Sequence, residues 1–202
     1  MSDRKKTKVI GLTGMSGAGK STACKLFREA GFRIIDCDGV CREIVKKGKP
    51  CLKEIASEFG KGILTSEGEL NRRLMGKIIF SDLNKRIKLN GIMYPYVSYS
   101  VIKGIVFSDS EYTVLDAPTL FESGLEDICE TIVSVAADKD ILISRITARD
   151  GITEEEAEDR LGSQHGADFF GEKSDILIMN NGSEEEFTRE IKKAMCRIKE
   201  GK

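Results

Sequence analysis

Val9-Ile10-Gly11-Leu12-Thr13-Gly14-Met15-Ser16-Gly17-Ala18-Gly19-Lys20-Ser21-Thr22 is the stretch from which the rest of the chain is read. Val9, Ile10 and Leu12 read as a short buried strand. Gly14, Gly19, Lys20 and Ser21 then fit G-x-x-x-x-G-K-[ST], the pattern of a phosphate-cradling loop. The glycines let successive backbone N–H groups turn inward as an anion nest. A helix beginning near Lys20 points its positive end at the same phosphates. Lys20 supplies a mobile cation for the β- and γ-phosphates, and the Ser21 hydroxyl is placed to ligate Mg²⁺.

Outward from this loop, the chain alternates strands with helices. The first helix is expected to end at Ala30, with Gly31 as its C-cap residue. Strands follow at Phe32–Ile35, Tyr112–Leu115, Thr131–Val135 and Asp175–Met179. With the strand before the loop this makes a five-stranded parallel sheet, covered on both faces in a three-layer α/β sandwich. Residues 39–109 read as a helical insert with four apolar stripes. These are Val40, Ile44 and Val45; Leu52, Ile55, Ala56 and Phe59, closed by Gly60; Leu70, Leu74, Ile78, Ile79 and Phe80; and Ile92 to Val106. Ile141, Leu142 and Ile146 point a later helix inward. Thr153-Glu154-Glu155-Glu156 and Ser183-Glu184-Glu185-Glu186 both have the form of a capping box and open two more helices.

Composition narrows the chemistry. The chain has 202 residues and is 40% hydrophobic, enough for one α/β domain with its own core. Its 32 basic and 33 acidic residues give a net charge of −1, which offers no basic surplus for nucleic acid. A single histidine, His165, rules out a His-based metal centre and a Ser–His–Asp triad, and it reads as incidental. The six scattered cysteines form no C-x-x-C pair and read as reduced thiols of a cytoplasmic protein. No apolar run approaches the ~20 residues of a membrane span. The basic opening Met1–Lys8 lacks an apolar core and reads as a solvated lead-in, without targeting function.

Six further residues carry candidate chemistry. Asp36 and Asp38 follow the second strand, where open parallel sheets place their sites. Either carboxylate is placed to take a proton from an acceptor hydroxyl, and either is equally a helix N-cap. Asp116 ends an apolar strand as a metal-holding carboxylate does, or simply starts a loop ahead of Pro118. Arg145 and Arg149, four apart, share a helical face. They either neutralise a transferring phosphoryl group or form a solvated basic face, and Arg160 is a weaker candidate of the same kind.

These residues together resemble the dephospho-CoA kinases. The resemblance runs from the loop and Ile35-Asp36-Cys37-Asp38 through Gly68-Glu69-Leu70-Asn71-Arg72-Arg73-Leu74. It continues in Asp116-Ala117-Pro118-Thr119-Leu120-Phe121-Glu122, in Arg145-x-x-x-Arg149-Asp150 with Arg160-x-x-x-Gln164, and in Asp175-x-x-Ile178-x-Asn180-x-Gly182. It implies a P-loop kinase built like the nucleoside monophosphate kinases. The core would be 8–38, 110–140 and 174–202, the CoA-binding insert 39–109 and the lid 141–173. The implied reaction is Mg²⁺-dependent transfer from ATP to the ribose 3′-hydroxyl of dephospho-CoA, the last step of coenzyme A biosynthesis, in a cytoplasmic monomer.

Carried over by position, Gly14 and Gly17, Ala18, Gly19, Lys20, Ser21 and Thr22 hold ATP phosphates. Asp38 is the base, Arg72 and Tyr94 belong to the CoA side, and Asp116 serves substrate and metal. Arg145 and Arg149 clamp phosphates, and Asn180 lies near the adenine. Three departures stand out: Met15 replaces a loop glycine, Tyr94 replaces the usual His before Pro95, and no Lys or Arg occurs between Gln164 and Lys173. The alternatives are a kinase for another small acceptor, such as a nucleotide, and a nucleotide-binding protein with weak or no catalysis. A GTP-dependent switch is disfavoured. Asn84-Lys85 is followed by Arg86-Ile87 in place of x-Asp, and position 119 is Thr where D-x-x-G needs glycine.

Overall fold

Five apolar strands alternate with helices in the computed structural model, which describes residues 6–201; Met1–Lys5 of the basic lead-in lie outside the described residues. The chain divides into two compact units, residues 1–35 with 108–202 and residues 36–107.

The first unit is built on the strands β1 (Lys8–Gly14), β2 (Arg33–Asp36, of which Asp36 begins the second unit), β3 (Tyr112–Asp116), β4 (Thr131–Ala136) and β5 (Ile176–Met179). Their order is β2-β3-β1-β4-β5, and β1 pairs in parallel with both β3 and β4. The register sets Leu12 beside Asp116 and Gly14 beside Val135. The loop after β1, Asp116 and the end of β4 therefore share the C-terminal edge of the sheet, with β1 at the point where the strand order reverses. Open α/β sheets hold their ligands there.

Val114 and Leu115 are both fully buried although they point to opposite faces, so the sheet is covered on each side. On one face Ile10, Leu12, Val133 and Ile178 pack with Phe27 of α1 (Lys20–Glu29), Leu142 and Ile146 of α6 (Lys139–Asp150), and Ile191 of α9 (Glu184–Glu200). The buried hydroxyls of Thr7, Thr113 and Ser108 form a hydrogen-bonded chain, each link 3.0 Å. This satisfies polar groups that would otherwise be costly to bury.

The second unit is helical: α2 (Cys37–Ile44), α3 (Pro50–Phe59), α4 (Arg72–Ser81) and α5 (Leu83–Val106). The first two stripes fall on α2 and α3, with Ile44, Leu52 and Ile55 buried and Gly60 ending α3. The third differs from expectation. Leu70 lies outside α4, bridged to Leu64, because Asn71 caps the helix by accepting from the Leu74 N–H at 3.0 Å. Met75 is the buried residue of α4, while Phe80 is 85% exposed. The fourth helix begins nine residues before Ile92. Asp82 accepts from the Lys85 N–H at 3.1 Å and starts it at Leu83, and Pro95 is carried inside it. Pro95 has no N–H for the Gly91 carbonyl, so one bond of the helical ladder is missing there.

Both capping boxes are present. Thr153 and Glu156 open α7 (Glu154–Gly162), and Ser183 and Glu186 open α9. Between α7 and β5 lies α8 (Ala167–Lys173), for which no helix was expected. It is anchored by buried Phe170 and by ring contacts among Phe121, Phe169 and Phe170.

Candidate active site

The loop Gly14–Gly19 turns where β1 ends because its backbone has little room for side chains. Gly14 has φ +142°, and a Cβ there would sit 2.1 Å from the Val135 carbonyl oxygen. Gly19 caps α1 with φ +107°, a conformation that L side chains rarely adopt. The Met15 N–H donates to Val135 O at 3.0 Å and the Ala18 N–H to Met15 O at 3.1 Å, which closes the turn. Met15 has a negative φ and packs partly against the core, so the loop tolerates its side chain.

A cavity of about 540 Å³ opens on this loop. Gly14, Gly17, Gly19, Lys20 and Ser21 line it, joined by Arg145 and Arg149 from α6, Gln164 beyond α7, and Pro118, Thr119 and Glu122 after β3. The structure thus brings together the loop, the cation and both arginines. Ala18 and Thr22 are not on the cavity wall; the Ala18 side chain is fully buried beneath the loop.

Lys20 Nζ forms an ion pair with Asp116 Oδ1, and both side chains are mostly buried. Asp116 therefore meets the cavity through Lys20. The Cys24 thiol, one turn along α1, is pushed up to about 11, first by burial and then by the Asp116 charge, so it stays protonated. Among the described residues no disulfide joins any of the six cysteines.

Arg145 Nη1 is buried without a hydrogen-bond partner, an orphan donor at the cavity. Arg149 donates from Nε at 2.7 Å and from Nη2 at 2.8 Å to the two oxygens of Asp150, whose Oδ2 also pairs with Arg160 Nη1. The Arg149 hydrogen bond, more than any other contact, holds the Asp150 carboxyl down at about 2.

Asn180, on the loop after β5, is 8% exposed, and its Nδ2 donates to Ala18 O at 2.8 Å. The residue supports the phosphate loop from behind. Asn180→Ala should leave that carbonyl unsatisfied and destabilise the protein by about 1–3 kcal/mol. Thermal melts check this.

In the second unit, Asp36 is the N-cap of α2. It accepts from the Gly39 N–H at 2.8 Å and pairs with Arg42 at 3.0 Å. Asp38 sits one residue into α2, exposed in its first turn, so the strand ends at Asp36 and the two aspartates belong to a helix start. Arg72 is the first residue of α4, with Nη2 3.5 Å from the Arg42 carbonyl, and Tyr94 is half-buried in α5.

Two contacts at or beside the cavity residues had no sequence signal. The Ser16 N–H donates to Gln164 Oε1 at 3.0 Å, joining residues 148 apart. The ring of His165 stacks on Phe169 with centroids 3.6 Å apart, and its Nε2 lies 3.6 Å from Glu122 Oε1. Among the described residues no helix is long and apolar enough to cross a membrane.

The dephospho-CoA kinase family model matches residues 8–186. The chain is 40% identical over 187 residues to the dephospho-CoA kinase of Listeria innocua, covering 91% of this chain and 94% of that one. To the dephospho-CoA kinase of Arabidopsis thaliana it is 35% identical over 195 residues, covering 95% and 84%. Its structure is similar to that of the dephospho-CoA kinase from Campylobacter jejuni, with TM-score 0.71 and 26% identity over 96% and 98% of the two chains. The motifs that suggested the resemblance lie within the matched span, and the chain belongs to the dephospho-CoA kinase family.

Proposed function

We propose that this chain transfers the γ-phosphoryl group of ATP to the ribose 3′-hydroxyl of dephospho-CoA, yielding CoA and ADP. The observation that carries the reading is the cavity in which a glycine loop, Lys20, Ser21, Arg145 and Arg149 converge, in a chain of this family. Phosphoryl transfer asks the protein for positioning and charge neutralisation more than for covalent chemistry. The loop N–H groups and Lys20 hold the β- and γ-phosphates. Lys20 exchanges Asp116 for phosphate when ATP enters. Arg145 finds in the transferring group the anion that its orphan Nη1 lacks.

Mg²⁺ fits the donors present. Ser21 and Asp116 offer oxygen only, and among the described residues no cluster of three or more His, Cys, Asp or Glu could hold a metal by itself. That suits an ion which keeps several waters and takes its remaining ligands from phosphate. Ser21 and Asp116 would hold it, and it would neutralise negative charge on the phosphates during transfer.

Asp38, exposed in the first turn of α2, is assigned the role of orienting the 3′-hydroxyl and taking its proton. Asp36 is committed to capping and to Arg42. Arg72 and Tyr94 are assigned to the acceptor side, the helices of residues 36–107 to acceptor binding, and α6 to α8 to a lid that excludes water during transfer.

A coupled ADP-release assay tests the reading. ADP production should depend on dephospho-CoA, and the product should have the mass of CoA. ATP binding without dephospho-CoA-dependent turnover would overturn the acceptor assignment, and stimulation by a nucleoside monophosphate in its place would transfer the reading to a nucleotide acceptor.

A further inference from the structure

We propose that Asp150, at the C-terminal end of α6, is a positioning residue for Arg149. It holds one edge of the guanidinium so that the other is presented ready-formed to a nucleotide phosphate. The inference rests on reading the loop cavity as an ATP site.

The guanidinium of Arg149, on the cavity wall, grips the Asp150 carboxylate in a bidentate contact. A guanidinium has five N–H groups in a rigid fork. Asp150 consumes two, both from the Nε–Nη2 side, one to each carboxylate oxygen. Three remain, two of them along the Nη1–Nη2 edge and spaced for a second bidentate contact of the kind arginine makes with phosphate.

The carboxylate is itself fixed. Arg160, on a different helix, closes on Oδ2. The Arg160 carbonyl accepts from Ser163 Oγ at 2.8 Å, and the next residue, Gln164, holds the Ser16 N–H of the phosphate loop. Arg149 is thus connected to the loop through Asp150, Arg160 and Gln164.

Charge supports the same reading. Two arginines share one aspartate, so one positive charge is left over for the ligand. A long arginine stem loses up to about 2 kcal/mol of rotamer freedom when it is ordered. Asp150 makes part of that ordering a property of the ligand-free protein. The carboxyl stays ionised throughout the working pH range, because Arg149 holds it at about 2.

The test uses ATP alone, without acceptor, so it stands or falls independently of the acceptor's identity. ATP dissociation constants are measured by titration calorimetry for the wild type, Asp150→Asn, Asp150→Glu, Arg149→Ala and the Asp150→Asn/Arg149→Ala double variant. Asp150→Asn should weaken ATP binding about tenfold, and Asp150→Glu should recover part of the loss. The double variant should bind no more weakly than Arg149→Ala, because Asp150 acts through Arg149.

In kinetics, the loss in Asp150→Asn should appear in the KM for ATP more than in kcat. Tighter ATP binding by Asp150→Asn would make Asp150 a competitor of phosphate and overturn the proposal. So would equal binding, or losses that multiply in the double variant. Absence of CoA formation by the wild type would overturn the proposed reaction and leave this result readable.

Discussion

Lys20→Ala should lower ATP-dependent turnover by about a hundred- to a thousandfold, the scale seen when one fixed charge is removed from a transferring group. Part of the loss should come from an unexpected quarter. Lys20 and Asp116 are 17% and 18% exposed and form an ion pair, so removing the lysine leaves a poorly solvated carboxylate near the phosphate loop. That carboxylate would repel ATP in addition to the missing attraction. Titrated without Mg²⁺, for which Asp116 is a proposed ligand, the double variant Lys20→Ala/Asp116→Asn should therefore bind ATP more tightly than Lys20→Ala by about five- to a hundredfold, the range of coupling between contacting charges. Its turnover should remain low, because the cation and a metal ligand are both absent. Equal binding by the single and double variants, measured by calorimetry, would show that Asp116 is solvated as soon as Lys20 leaves it.

The second large effect concerns the base. Asp38→Asn should cut dephospho-CoA-dependent turnover by about a hundred- to ten-thousandfold while ATP binding stays near wild type. Asp38 lies in α2 and lines no part of the loop cavity. Asn is nearly isosteric, and losing one negative charge in the first helical turn costs about 0.3–1 kcal/mol, so the fold should survive. Asp36→Asn provides the contrast. Asn remains a good N-cap, and the exposed pair with Arg42 contributes about 0–1 kcal/mol. Its turnover should stay within a few-fold of wild type. The opposite pattern, activity lost with Asp36 and kept with Asp38, would exchange the two roles.

Not every part of the chain announced itself equally. The β1–loop–α1 segment was legible because glycine, lysine and serine at fixed offsets have few alternative uses beside an apolar strand. Thr153 and Ser183 announced α7 and α9 because a capping box satisfies its own backbone within four residues. The pair Asp36/Asp38 was half legible. The choice turned on whether strand or helix claimed the chain from Cys37 onward, and the helix did. The start of α5 was hidden because residues 83–90 carry little apolar signal, and Leu89 is the buried position among them. Leu74 and Phe80 looked like core because they are apolar at helical spacing, yet α4 turns Met75 inward. The Ser16–Gln164 bond was out of reach in principle, since no local pattern links residues 148 positions apart.

The strand order also governs how the site comes into being on the ribosome. β1 is made first, but its partners begin at Tyr112 and Thr131, more than a hundred residues later. At roughly 5–20 residues per second, the apolar strand and its glycine loop wait about 5–25 s before either flank is available. The helices of residues 36–107 form a contiguous compact unit, so they can assemble during that interval. Gly14 has no strand neighbour to constrain it until Val135 has been synthesised. The nucleotide site is therefore among the last features to form, although it is encoded near the start of the chain.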